Sequence, residues 1–287
     1  MHSHTVIRCA TWLAVALLCG AARPARAEWL APLVSETAQT IDSGTAQIAL
    51  GASYFRDRRY PPFTPSGYIK SQNMTSVPEI GFRIAAGSMV EIQASYEFID
   101  LDEQTTDGHN SVYGGGDARL FTKVYIVEER TWIPAAGLRF GVKLPNGNKD
   151  DRLGTDETDF AIQALASKEF AGCSAHLNLG LAILGNPGDG DGQDDLFTYA
   201  IALVSPTLGA ETDDQWGVRG LLEVAGDTGS RFDNDAAAIR GGAQVMYGGW
   251  TLYAGATGGL ASAAAKYGFM GGAIYSFELE RVAALFE

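Results

Sequence analysis

Residues 114–127 read GGGDARLFTKVYIV, and within them apolar and charged side chains separate at every second position. Ala118, Leu120, Thr122, Val124 and Ile126 share one side of the alternation, while Asp117, Arg119, Lys123 and Tyr125 share the other. A period of two is the mark of a β-strand, whose successive side chains point to opposite faces. Residues 131–143, TWIPAAGLRFGVK, repeat the pattern: Trp132, Pro134, Ala136, Leu138, Phe140 and Val142 fall on one side, and Arg139 and Lys143 on the other. Pro134 offers no ladder donor, so a strand start or a bulge is expected there.

Working outward, the same alternation predicts twelve strands, over residues 44–55, 76–84, 89–99, 116–127, 132–143, 158–169, 173–184, 196–204, 215–225, 236–247, 250–257 and 267–279. Their charges take one parity throughout: Glu79, Arg83, Glu91, Glu97, Asp117, Arg119, Lys123, Arg139, Lys143, Asp159, Arg219, Glu223 and Arg240. The opposite parity is uncharged in mid-strand. Lipid demands such a partition, because Arg or Lys at a bilayer midplane costs about 2–4 kcal/mol. Long connectors (56–75, 100–115, 144–157, 185–195, 226–235, 258–266) alternate with tight ones (85–88, 128–131, 170–172, 248–249), and only 205–214 is longer than that rhythm allows. Aromatic residues fall at two levels. Trp132, Trp216, Trp250, Tyr247 and Phe277 collect at one end of the strands, and Tyr54, Phe98, Phe140, Phe160, Phe197, Tyr199 and Tyr267 at the other. Two aromatic girdles and alternating loop lengths predict an all-β, antiparallel transmembrane β-barrel of about 12 strands, of the outer-membrane type. A soluble β-sandwich would also alternate, but it needs neither feature.

The first residues fit export. Arg8 precedes an apolar stretch from Ala10 to Ala22, and Ala25-Arg26-Ala27 forms a small-x-small cleavage site, so residues 1–27 are expected to be a signal peptide. Residues 28–43, with Trp29, Leu30, Leu33 and Val34, then form an N-terminal periplasmic segment before a barrel over 44–287. A helix at the mouth, a plug in the lumen and a disordered stub all suit them. Cleavage also removes Cys9 and Cys19, leaving Cys173 alone and no internal disulfide. No later apolar run is long enough for a helical span. Without Arg8, Arg23 and Arg26 the 21 basic residues become 18 against 34 acids, a formal charge of −16, which argues against nucleic acid as a partner.

Residues 141–185 read GVKLPNGNKDDRLGTDETDFAIQALASKEFAGCSAHLNLGLAILG. Through Lys143-Leu144-Pro145, Gly147, Leu153-Gly154-Thr155, Asp159, Ser167-Lys168, His176, Asn178 and Gly180, this stretch resembles the outer-membrane family named for the meta-pathway of phenol degradation. The resemblance covers about a sixth of the chain. It implies a barrel of roughly 12 strands that moves small, often hydrophobic or aromatic, compounds across the outer membrane, and it supplies no catalytic residues.

The candidate lumen-lining residues are Glu79, Glu91, Glu97, Arg119, Lys123, Arg139, Lys143, His176, Arg219, Glu223 and Arg240. Arg119, Lys123, Arg139 and Lys143 are expected to make a basic wall facing an acidic one of Glu79, Glu91 and Glu97. Such opposed walls would place a transverse field across the lumen, whereas mutual ion pairing would simply hold the barrel. His176 shares its face with Ser174 and Asn178, a trio that invites comparison with a lipid hydrolase, but Ser174 and His176 are two apart on one strand, roughly 7 Å between Cβ atoms. No enzymatic role and no cofactor are expected. Loop acids, Asp150, Asp151 and Asp156 and then Asp189, Asp191, Asp194 and Asp195, make divalent cations a candidate partner, although Ala200 stands where an EF-hand needs its bidentate Glu. The expected function is passive passage of a small organic solute through an outer membrane of Gram-negative type, with lipid around the barrel and both termini in the periplasm. The alternatives are a closed structural or surface-binding barrel and an outer-membrane lipid hydrolase.

Overall fold

A computed structural model describes residues 33–59, 69–185, 193–209, 215–230 and 235–280. The expected leader, residues 28–32, most of the 186–195 acidic loop and the last seven residues lie outside them. The strands are β1 (Thr45–Arg56), β2 (Ile69–Ala85), β3 (Val90–Thr105), β4 (His109–Gly115), β5 (Ala118–Val127), β6 (Ala135–Leu144) and β7 (Asp159–Phe170). They continue with β8 (Cys173–Leu184), β9 (Asp194–Val204), β10 (Leu208–Gly209), β11 (Gly217–Thr228), β12 (Ala237–Tyr247), β13 (Trp250–Gly259) and β14 (Tyr267–Glu278). Neighbours in sequence pair antiparallel, and β14 returns to β1 in register from Thr45↔Glu278 to Arg56↔Tyr267, which closes the cylinder. β4 and β5 both pair with β3, and β9 and β10 both pair with β11, so each couple is one interrupted stave. Twelve staves result from fourteen strands.

The outward parity carries Ile80, Phe82, Ile92, Leu120, Phe140, Ile162, Leu177, Leu179, Leu181, Ile201, Leu203, Leu222, Leu252 and Phe269, all well exposed. A continuous apolar belt of this kind belongs against hydrocarbon. At the rim where the chain enters and leaves the barrel, the terminal rim, Trp216 stacks on Tyr247 at 4.6 Å and Trp250 lies 4.7 Å from Tyr275. At the opposite loop rim, Tyr96 meets Phe98 edge-on at 5.3 Å and Tyr267 meets Phe269 at 6.1 Å. β6 begins directly after Pro134, and β2 shifts register between Ser76 and Glu79, where Pro78 cannot donate to the ladder.

Two expectations are corrected. Residues 100–115 do not form a long loop: β3 runs on to Thr105, turns, and returns as β4, with Leu101 opposite Val112. Asp100, Asp102 and Gln104 face outward there, and beyond the membrane that face meets water, so the charge rule that governs mid-strand no longer applies. The 144–158 connector folds back onto this raised hairpin. Its Leu153 closes a small core with Met74, Ile99 and Leu101, flanked by Val112. The second correction concerns the charged walls. They are not opposed, because β3 and β5 are hydrogen-bonded neighbours with Glu91 directly across from Lys123.

Candidate functional site

The lumen is crossed by the chain itself. Residues 33–43 run inside the barrel before β1, and an extended segment placed there must find partners for its backbone groups on the wall. Glu223 Oε2 accepts from Val34 N at 3.1 Å, Ser35 N at 2.7 Å and Ser35 Oγ at 2.7 Å. Asn178 bonds both ways with Glu36: its Oδ1 accepts from Glu36 N at 2.7 Å and its Nδ2 donates to Glu36 O at 2.8 Å. Ser167 Oγ accepts from Ala38 N at 2.9 Å, and Glu91 Oε2 accepts from Ile41 N at 3.0 Å. Below the polar contacts, Ala38 is fully buried with Ala135 and Leu165, beside Tyr125. Gly137 makes this close approach possible, since a Cβ there would stand 2.9 Å from Ala38 O and 2.9 Å from Val124 O.

The anchor is Glu36. Register brings Arg83, Lys123 and Arg139 to one side of the lumen against a single wall carboxylate, Glu91. Glu36 supplies the second carboxylate: Oε1 lies 2.7 Å from Arg83 Nη2, and Oε2 lies 3.5 Å from Lys123 Nζ. Lys123, wholly buried, also lies 3.1 Å from Glu91. Burial alone would raise the Glu36 pKa, but Arg83, Lys123 and Arg139 outweigh it and hold the carboxyl at about 2.

The other candidate residues are distributed around this anchor. Arg139 bonds Gln93 and Gln163 and lies over the Phe121 ring at 3.6 Å. Glu97 takes Arg119 at 2.9 Å and Ser76 at 2.7 Å, and Glu79 takes the Ser53 hydroxyl. Lys143 lies between Asp117 at 3.2 Å and Asp159 at 2.8 Å, and it donates to Thr155. Asp117 also accepts from Gly147 N at 2.9 Å. Arg219 donates to Gln244 at 2.7 Å, and Arg240 lies 3.3 Å from Glu223. The inner charges are thus largely consumed by one another and by the plug.

The Ser/His/Asn trio is not brought together. His176 Nδ1 sits 2.9 Å from Ser167 Oγ on the neighbouring strand, and Asn178 is engaged by Glu36. The Ser167 hydroxyl also accepts from Ala38 N and lies buried beneath the plug. Sequence reasoning missed Glu36, Ser167 and Gly137 as site residues. One signal was available: residues 141–185 draw their distinctive polar positions from two structural tasks, clasping the connector (Lys143, Gly147, Thr155, Asp159) and receiving the plug (Ser167, Asn178). Among the described residues no cluster of three His, Cys, Asp or Glu side chains could hold a metal ion.

Comparison with solved structures places this architecture. The chain matches an outer membrane channel from Pseudomonas putida F1 with a TM-score of 0.60 at 11% identity, over 85% of this chain and 100% of that one. The fold is an outer-membrane β-barrel. Weaker matches are the translocator domain of the autotransporter NalP from Neisseria meningitidis (TM-score 0.48, 14% identity, 83% of this chain and 88% of that one) and the beta domain of the Bordetella autotransporter BrkA (0.49, 13%, 82% and 100%). No family model and no curated protein matches the sequence.

Proposed function

We propose that this protein is an outer-membrane channel for passive uptake of small organic molecules, held shut by its own residues 33–43. One observation carries the reading: the plug separates two vestibules. One of about 420 Å³, reached from the loop rim, ends on Val34 and Ser35; the other, of about 400 Å³, opens at the terminal rim between Thr37–Ser43 and the wall. The plug is fastened through side-chain hydrogen bonds and ion pairs and joins no strand ladder. It can therefore leave without breaking the barrel.

In this reading the terminal rim and both termini face the periplasm, and the loop rim faces outward. The resemblance of residues 141–185 to the meta-pathway family favours small hydrophobic or aromatic cargo. Solute flux into liposomes tests the proposal. Wild-type protein is expected to pass small solutes slowly, and Glu36→Ala, which unfastens the plug, to pass them severalfold faster. If both variants fold with heat-modifiable migration and neither passes any solute, the closed structural barrel is the correct account.

A further inference from the structure

The outer vestibule contains a feature that sealing alone does not explain. Its volume lies within the roughly 300–1,000 Å³ of ordinary ligand pockets. Much of its wall is methyl and thioether: Ala200, Ala225 and Ala238 on adjoining staves, with Leu196 and Met270. Arg240 lines the same cavity beside the plug residues Val34 and Ser35. Its Nη1 donates to Glu223 at 3.3 Å, but its Nε is buried without a hydrogen-bond partner. A buried donor left unmet is destabilising, and more so when the group is charged.

The charge balance at this point favours an anion. Glu223, the carboxylate paired with Arg240, spends its other oxygen on three donors from Val34 and Ser35, so its charge is shared away from the guanidinium. Arg240 can only donate. The other carboxylates of the cavity sit toward the loop rim with donors of their own: Asp194 accepts from Ser230 Oγ at 2.9 Å, and Asp227 from Ala236 N at 3.2 Å. Asp227 is also four residues beyond Glu223 along β11, roughly 13 Å at strand rise.

We infer that the vestibule binds a small amphiphilic monoanion, its carboxylate received by Arg240 at the plug and its apolar body laid along the alanine-rich wall. This names the solute class for the proposed channel and rests on that reading for its biological sense, though binding can be read without transport.

The test uses the full mature chain in lipid nanodiscs, titrated calorimetrically with octanoate, octanol and octylammonium against empty nanodiscs. Octanoate is expected to bind at least tenfold more tightly than either of the others. Arg240→Lys keeps the ion pair with Glu223 but removes the Nε donor, and is expected to weaken octanoate at least tenfold while leaving octanol unchanged. Equal binding of the three probes, or an unchanged octanoate affinity in a folded Arg240→Lys barrel, would overturn the inference. Octanoate binding without flux in liposomes would sink the channel and spare the site; flux with no preference for octanoate would do the reverse.

Discussion

The two halves of the barrel wall differ in what they put inside. From β2 to β8 the interior carries long polar side chains, and Arg83, Glu91, Gln93, Lys123 and Asn178 among them bond the plug between Glu36 and Ile41. From β9 round to β12 the inward positions include Ala200, Ala225 and Ala238, and their small side chains line the outer vestibule. One half holds the plug by charge and hydrogen bonds; the other leaves an open vestibule. On this side Glu223 bonds Val34 and Ser35 directly, and Arg240 pairs with Glu223. The difference suggests how one narrow barrel can be both sealed and spacious: the seal is chemical on one side and the space is steric on the other.

Substitutions that strip charge from the gripping half should break this comparison most strongly. Removing one member of a buried ion cluster leaves its partners uncompensated at about 3–5 kcal/mol. Glu36→Ala is therefore expected to abolish amide protection over residues 34–41 in hydrogen exchange, while β1–β14 keep theirs. Glu223→Gln removes the charge that collects three donors, and hydrogen bonds to a charged group are worth about 1.5–3 kcal/mol each. Protection should fall at Val34 and Ser35 first and at Ala38 little.

Shape makes a smaller demand. Gly137→Ala places a methyl against two carbonyl oxygens and should lift Ala38 from Ser167, costing about 1–3 kcal/mol of plug docking as overpacking does. It would be read as lost protection at the Ala38 amide. The smallest effect at ordinary pH is that of pH itself. The docked carboxyl of Glu36 is held at about 2 against an ordinary 4.5, so its contribution is complete above 4.5 and fades as pH falls toward 2. Conductance across planar bilayers should be flat from pH 8 to pH 5 and rise only under stronger acid. A rise centred near neutrality would point to a group other than Glu36.

Much of this barrel was legible in the chain. Period-two alternation gave twelve staves, and the parity of Arg119, Lys123, Arg139 and Lys143 gave their inward facing, because lipid penalises the alternative. Legibility ended where lipid ended. Asp100, Asp102 and Gln104 lie on a strand face in water, where polarity no longer distinguishes strand from loop, so the sequence of the β3–β4 extension reads as a connector. The opposed walls failed for a different reason. Alternation reports facing, but whether charges attract across a lumen or along a ladder depends on which strands are neighbours, and β3 beside β5 settles that. Glu36 was invisible because nothing local marks it: its role arises from three cations, on β2, β5 and β6, that meet only once the cylinder closes.

The most direct test of the sealed lumen is to fasten the plug covalently. With Cys173→Ser in place, Thr37→Cys and Ser167→Cys replace two hydroxyls that stand 3.3 Å apart on the plug and the wall. Solute flux into liposomes is then measured for the oxidised and the reduced protein. The account predicts that oxidation stops flux and reduction restores it; equal flux in both states would show that solutes do not need residues 33–43 to move.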